Sequence, residues 1–297
     1  TTANVAAYNL VFRGNADGVL KVSGAATAEV AVKANEDAVI PATLTYGNNK
    51  FDLVFTPDET FVPGDYQVME NFEVANISHT VLYKNYGAEG DSLYVSPKGS
   101  ANGNGTKANP LDIYTAVKYV QPGQTIVITE GTYKLSKTVK VERGTNGTAE
   151  KKIQMVADPA ASSRPVFDFQ GACAGMVLAG DYWSFRGFDV TKSADGQKGI
   201  QVSGNNNTLD QINTYMNGNT GLQISRYLGT DGFDKWPANN LILNCTSYLN
   251  EDKGYEDADG FAAKLTVGKG NVFDGCVAHH NADDGWDLFA KVQSGSI

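Results

Sequence analysis

Cationic side chains and cysteines are scarce in this sequence, and each shortage excludes a class of protein. The 297 residues include 24 Lys and Arg against 33 Asp and Glu, which gives a net charge of −9. Nucleic-acid binding needs a basic face, so we do not expect a nucleic-acid partner. An anionic substrate stays open, because a bound cation can reverse the local sign of the charge.

Disulfides and membrane-spanning segments are also not indicated. Three cysteines are too few for a disulfide framework. No run approaches the roughly 20 consecutive apolar residues of a membrane span. At 41% hydrophobic and 19% charged residues, the composition is typical of a globular protein.

Glycine, by contrast, is plentiful, with 32 residues, and predicts many turns. Residues 1–90 contain short alternating strands about ten residues apart, for example at 51–55, which predicts a small β-sandwich-like domain. This stretch has no cluster of catalytic residue types, so we expect an accessory, mainly structural role; contact with carbohydrate is the alternative. The boundary falls near residue 90, and residues 91–297 form the second domain.

One helix is predicted near the start of the second domain. Asn109 is suited to cap it and Pro110 to its first turn, while the apolar residues that follow recur at helical spacing. These apolar residues are Ile113, Ala116, Val117 and Val120. Because many short strands follow, the helix is expected to close the open end of a solenoid.

From about residue 180 the sequence repeats. Strand-like segments that begin with glycine start at Gly199, Gly221, Gly260 and Gly285, at intervals of 22, 39 and 25 residues. The longest interval contains an insertion, 226–239. Repeats of this length with several short strands each are typical of a parallel β-helix, so we predict an all-β fold.

Matching positions in successive coils should stack, about 4.8 Å apart. Asn217, Asn250 and Asn281 occupy one such position and predict a ladder in which each amide bonds to the next. Cys245 and Cys276 each precede an asparagine of this ladder by five residues. They predict a stack of buried thiols, with a disulfide as the alternative.

Alignment of Gly260 with Gly285 places Asp259 directly against Asp284. Asp283 and Asp287 bring the number of carboxylates in this region to four. Like charges about 5 Å apart repel, so the cluster favours a bound cation over a solvated acidic turn. Oxygen ligands on a flexible turn suit Ca²⁺. Zinc is not indicated, because His279 and His280 are adjacent and would point to opposite faces of a strand.

Three segments, 259–264, 270–276 and 281–289, closely resemble polysaccharide lyase family 9. The resemblance extends in order over residues 92–297 and leaves the first 90 residues outside. It implies a right-handed parallel β-helix that cleaves pectin, an acidic plant cell-wall polysaccharide. It also implies that Asp259, Asp283, Asp284 and Asp287 bind the catalytic calcium.

The family's catalytic base is a lysine in a Gly-x-Lys-Leu-Gly-Gly-like motif, and no such motif is present here. Lys264 and Lys291 come too early for this role. We therefore expect the base beyond Ile297 and the chain to be a fragment. The resemblance further implies a monomer that is secreted, periplasmic or on the cell surface.

The implied reaction is β-elimination on polygalacturonate, with the backbone of rhamnogalacturonan I as the alternative substrate. Hydrolysis by paired carboxylates is the chemical competitor. A calcium-stabilised β-helix that binds pectin without catalysis, or an adhesin, is the alternative of another class. Candidate substrate contacts are Lys264, Arg226, Lys192 and Trp236.

Overall fold

The computed structural model describes residues 1–58 and 73–289. The chain divides into two compact units, 1–85 and 86–297. The sequence placed the boundary near residue 90, within the loop that follows Tyr86. In the described residues, no helix has the length and apolar character needed to cross a membrane.

The first unit consists of two small sheets around one core. In its described part, one sheet has the spatial order Thr2–Ala3, Ala75–Tyr83, Gly47–Pro57, Gly18–Gly24 and Ala28–Val32. A second sheet pairs Ala7–Arg13 with Asp37–Thr43, antiparallel. Alternate side chains point inward, so that Leu10 and Ile40 of one sheet share a core with Leu20 and Phe51 of the other. The predicted sandwich-like domain is confirmed.

The second unit winds through three parallel sheets, which we number in the order the chain visits them. Sheet 1 contains Ser92–Val95, Thr125–Ile128, Ile153–Ala157, Trp183–Arg186, Thr208–Asp210, Leu241–Leu243 and Val272–Asp274. Sheet 2 contains Thr132–Lys134, Val166–Asp168, Asp189–Thr191, Asn213–Tyr215, Thr246–Tyr248 and Val277–His279. Sheet 3 contains Val139–Val141, Met176–Leu178, Ile200–Val202, Leu222–Ile224, Phe261–Ala263 and Trp286–Asp287. This arrangement confirms the predicted parallel β-helix.

The register of sheet 3 agrees with the alignment on glycine. Leu222 pairs with Phe261, and Phe261 with Trp286. One position earlier, the amide of Gly260 donates to the carbonyl of Asp284. Asp259 and Asp284 therefore occupy equivalent positions in neighbouring coils.

The predicted asparagine ladder is present and explains why these strands begin with glycine. Asn217 Nδ2 donates to Asn250 Oδ1 at 3.0 Å, and Asn250 Nδ2 donates to Asn281 Oδ1 at 2.8 Å. A Cβ added to Gly260 would lie only 2.7 Å from Asn281 Nδ2. The ladder thus occupies the space that a side chain at the strand start would need.

A second ladder, which the sequence analysis missed, lies where sheet 3 leads into sheet 1. Asn207 N donates to Asn240 Oδ1 at 3.0 Å, and Asn240 Nδ2 donates to Asn271 Oδ1 at 2.9 Å. All three side chains are buried. Two of the turns in each of these coils are therefore held by stacked amides.

The helix is confirmed, but its predicted start is wrong. It spans Ile113–Tyr119, and its N-cap is Asp112, whose Oδ1 accepts from Thr115 N at 2.8 Å. Leu111 N donates to Tyr94 O, and this backbone pairing holds the segment with Asn109 and Pro110 in an extended conformation ahead of the helix. The helix packs on Ser92–Val95 and Val139–Val141, at the first coils.

All three cysteines are reduced, and the disulfide alternative is not formed. Cys245 is buried and bonds to carbonyl oxygens of its own and the preceding coil, and Cys276 is partly exposed in the next coil. The insertion contains a short 3₁₀ helix, Phe233–Lys235.

Candidate metal centre

Three of the four predicted aspartates come together. One carboxylate oxygen from each of Asp259, Asp283 and Asp284 lies within 4.8 Å of the other two. Asp259 is completely buried, whereas Asp283 and Asp284 are exposed. The cluster forms because two successive coils present the same turn before sheet 3.

The two carboxylate oxygens of Asp259 have different surroundings. Oδ2 accepts from Thr220 Oγ1 at 2.9 Å and from Lys264 Nζ at 2.8 Å. Oδ1 is buried and accepts no hydrogen bond from any described residue. A buried anionic oxygen without a partner is strongly unfavourable. A cation between Asp259, Asp283 and Asp284 would remove this deficit, and an all-carboxylate set of hard oxygen ligands fits Ca²⁺.

Electrostatic repulsion within the cluster is visible in Asp283. Loss of solvation, together with the charges of Asp259 and Asp284, raises the pKa of the Asp283 carboxyl above its usual value. The charge of Lys264 acts in the opposite direction without cancelling the shift. The cluster therefore holds more negative charge than its own surroundings neutralise.

Asp287, the fourth predicted ligand, shares the ammonium of Lys264 with Asp259. Its Oδ2 is 2.9 Å from Lys264 Nζ, and its Oδ1 accepts from Phe289 N at 2.8 Å. Each oxygen of Asp287 thus already has one partner, so an oxygen that ligates a metal would be shared with Lys264 or with the amide of Phe289.

Lys264 is 12% exposed at its side chain and bridges Asp259 and Asp287. Burial alone would lower the pKa of its ammonium, but hydrogen bonds to the two carboxylates outweigh burial and raise it. Lys264 is thus a charged lysine that positions two aspartates. Because it is charged and paired, it has no free amine, and its role as a substrate contact stays a prediction.

The other three predicted substrate contacts have partners other than the aspartates. Lys192 Nζ pairs with Asp168 Oδ2 at 3.0 Å, directly after a sheet 2 strand. The indole of Trp236 donates to Asp231 O at 3.1 Å. Arg226 follows a sheet 3 strand, and its amide donates to Thr266 Oγ1 at 3.1 Å. Among the described residues, no hydrogen bond or ion pair joins any of the three to the cluster, and Lys291 lies outside the described residues.

The insertion 226–239 is fastened to an earlier coil beside sheet 3. Arg143 forms two hydrogen bonds to Asp231, at 3.0 and 2.6 Å. The hydrogen bond from Arg143 lowers the pKa of the buried Asp231 to about 2. Lys140 and Arg143 also lie over the ring of Tyr227, 5.0 and 5.1 Å from its centre. The insertion is therefore a fixed part of the surface beside sheet 3.

Two residues of this surface escaped the sequence analysis. Lys198 immediately precedes Gly199, as Asp259 precedes Gly260, so the glycine alignment already contained the signal. Gln223 lies on the outward side of Leu222–Ile224 but is only 3% exposed. Its burial could not be foreseen, because it depends on how the long loops fold over the sheet.

Residues 93–297 match a family model described as the Pel9A-like, right-handed beta helix region. Residues 1–76 match the pectate disaccharide-lyase central Ig-like domain. The relationship thus reaches into the first domain, which the sequence resemblance had left outside.

Curated relatives match the whole chain or most of it. A protein of Thermoclostridium stercorarium named pectate lyase L is 41% identical over all of this chain and 23% of its own length. Pectate lyase L of Paenibacillus polymyxa (strain SC2) is 44% identical, over 71% of this chain and 47% of its own length. The chain therefore spans less than half of these relatives.

A solved structure, that of pectate lyase Pel9A, aligns with a TM-score of 0.59 and 32% identity. The alignment covers 69% of this chain and 51% of that one. These matches and the observed coil register confirm the predicted right-handed parallel β-helix. The chain belongs to the Pel9A-like β-helix family, polysaccharide lyase family 9.

Proposed function

We propose that this chain is the calcium-binding part of a pectate lyase that cleaves polygalacturonate by β-elimination. The observation that carries the proposal is the buried, unpartnered Oδ1 of Asp259, which lies beside the carboxylates of Asp283 and Asp284. The names of the relatives support the choice of pectate as substrate.

Asp259, Asp283 and Asp284 would hold the ion, with Asp287 as the fourth ligand. When bound, calcium would neutralise the carboxylate of a galacturonate unit and acidify the adjacent C5 proton. Thr220 and Lys264 hold Asp259 Oδ2, which leaves Oδ1 for the metal. Lys264 thereby fixes the orientation of the one fully buried ligand.

The base removes the C5 proton, a C4–C5 double bond forms, and the C4–O bond breaks with the glycosidic oxygen as the leaving group. Lys264 is unsuited to be this base, because two carboxylates hold it as an ammonium. We therefore assign the base to a lysine beyond Ile297, as the family resemblance implies. A cell-wall substrate also implies that the enzyme acts outside the cell that makes it.

Hydrolysis fits the geometry less well. A hydrolytic pair keeps its carboxyl groups about 5–9.5 Å apart, on either side of the glycosidic bond that is cleaved. Here three carboxylates converge within 4.8 Å, an arrangement suited to one shared cation.

Two measurements test the proposal. Calorimetry should show calcium binding to the folded chain, with loss of binding in Asp284→Ala and no change in Asp274→Asn, a control aspartate on the outer surface of sheet 1. Ultraviolet absorbance of the unsaturated product should then rise on polygalacturonate with calcium, but not with EDTA, for the full-length parent protein.

Other results would redirect the assignment. Equal calcium binding by Asp284→Ala and the unmodified chain would remove the aspartates from the site. Activity that survives chelation would indicate hydrolysis. Activity on rhamnogalacturonan alone would change the substrate, and calcium-dependent pectin binding without product from the parent would indicate a binding module.

A further inference from the structure

Lys198 lies in the same column of the solenoid as the metal-site aspartates. Ile200 pairs with Leu222, Leu222 with Phe261 and Phe261 with Trp286. Two positions earlier, the column contains Lys198, Thr220, Asp259 and Asp284. With strands about 4.8 Å apart, the backbone of Lys198 lies ~10 Å from that of Asp259 along the solenoid axis.

The ammonium of Lys198 lacks a counter-ion in the described part of the chain. Its side chain is partly buried, and no ion pair or hydrogen bond joins it to another described residue. Burial and the charge of Lys264 both lower its pKa, and the charge of Asp257 only partly opposes them. By contrast, Lys192, six residues earlier, is paired with Asp168 at 3.0 Å.

An unpaired, partly buried cation is unfavourable unless a ligand completes it. This protein has nine more acidic than basic side chains, so potential partners are abundant. Yet Lys198 forms an ion pair with none of those that the structure describes. No described residue completes its charge, so the charge is available to an external ligand.

Gln223 provides a second, independent sign of a ligand. It belongs to the strand between Ile200–Val202 and Phe261–Ala263, and its side chain is on the outer face of sheet 3. Nε2 donates to Ser225 Oγ at 3.1 Å, while Oε1 is buried and accepts no hydrogen bond from described residues. A hydroxyl group is the natural donor for such an oxygen.

We propose that Lys198 and Gln223 form a second uronate-binding subsite next to the metal centre. Lys198 binds the carboxylate of a sugar unit, and Gln223 Oε1 accepts a hydrogen bond from one of its hydroxyl groups. This inference rests on the proposed function, because it takes the ligand to be the same acidic polymer. The inference adds that the enzyme selects a stretch of the polymer in which a second sugar unit, besides the one at the metal, has a free carboxylate.

The test uses Lys198→Met, which keeps the length and removes the charge. With calcium present, its affinity for de-esterified oligogalacturonate should fall about tenfold, the loss expected for one charged hydrogen bond. The KM of the parent enzyme should rise similarly, with kcat within about twofold. Calcium affinity should stay unchanged, and Lys198→Arg should retain most of the binding.

Methyl-esterified pectin provides the specificity readout. Its blocked carboxylates cannot pair with Lys198, so the variant and the unmodified enzyme should bind this polymer alike. The control is Lys134→Met, which removes an exposed lysine from sheet 2 and should match the unmodified protein throughout. Circular dichroism and thermal unfolding check that each variant is folded.

Each outcome is decisive. Loss of oligogalacturonate binding in Lys198→Met, with calcium affinity intact, supports the subsite even if this chain alone has no turnover. A variant that binds and discriminates between polymers like the unmodified protein overturns the subsite and leaves the lyase proposal standing. Absence of binding to either polymer by the unmodified parent overturns both.

Discussion

Two columns of stacked side chains lie next to each other in the same turn, and they behave in opposite ways. Asn217, Asn250 and Asn281 form a column whose amides donate and accept in succession. Asp259 and Asp284 are stacked a few residues further on, but a carboxylate has no donor. Stacking therefore has opposite effects on the two residue types. Stacked amides satisfy each other's hydrogen bonds, while stacked carboxylates build up negative charge that requires a cation.

The largest effect should come from removal of the Lys264 ammonium, which pairs with Asp259 in the aspartate column. Lys264→Met leaves the fully buried Asp259 charge without its ammonium partner. Without calcium, we expect a loss of about 3–5 kcal/mol in the free energy of unfolding. Urea denaturation measures this loss, and added calcium should recover more stability in the variant than in the unmodified chain. A variant as stable as the unmodified chain in EDTA would contradict the role of Lys264.

The asparagine column should be broken by Asn250→Ala. The substitution leaves Asn217 Nδ2 and Asn281 Oδ1, both on the ladder, without their shared partner. We expect a loss of about 3 kcal/mol, because buried amides lose their hydrogen bonds. Unlike Lys264→Met, this loss should be the same with calcium and with EDTA. A calcium-dependent loss would show that the two columns are not energetically separate.

Calcium should stabilise the folded chain only through the aspartate column. At a free calcium concentration 100 times the Kd, the free energy of unfolding should increase by about 2.7 kcal/mol, since the ion binds the folded state alone. Paired denaturation curves with calcium and with EDTA measure the increase. Asp284→Ala should show none, and a similar increase in that variant would place the ion elsewhere.

The smallest expected effect is the pH dependence of calcium binding. The Asp283 carboxyl has a raised pKa in the folded, metal-free chain, so it takes up a proton before an ordinary aspartate does. Calcium affinity should therefore decrease as the pH falls through this raised pKa. In the metal-free chain, folding disfavours the charged form of Asp283. This carboxyl therefore reduces the free energy of unfolding as the pH rises from the pKa of the unfolded chain through the raised pKa of the folded chain. Calorimetry between acidic and neutral pH, with Asp283→Asn as the comparison, measures the contribution; an identical pH profile in that variant would exclude it.

Properties that repeat from coil to coil could be predicted from the sequence. The glycine alignment was sufficient to place Asp259 against Asp284, because a parallel register transmits one position to the next. The repeated strand pattern that precedes Asn217, Asn250 and Asn281 identified the first asparagine ladder. The second ladder had the same kind of signal: Asn207, Asn240 and Asn271 each precede a sheet 1 strand. It was missed because only the asparagines that follow the repeated strand pattern were compared, and not those that precede it.

Other properties depend on contacts that no repeat encodes. The position of Lys264 between two aspartates is set by side-chain conformation. The start of the helix was misplaced because Leu111 pairs with Tyr94, a contact outside the helix itself. The unpaired states of Lys198 and Gln223 become visible only when every neighbour has been placed. The predicted assignments of Arg226, Lys192 and Trp236 to substrate binding stay untested.

The location of the metal ligands on two successive coils has a mechanical consequence. An ion held by Asp259 on one coil and by Asp283 and Asp284 on the next would join the two coils directly. In a solenoid each coil contacts only its neighbours, so pulling on the C-terminal end should peel the coils off one at a time. With calcium, the step that separates these two coils should require more force than the same step in EDTA. The ion would therefore resist mechanical unfolding from the C-terminal end.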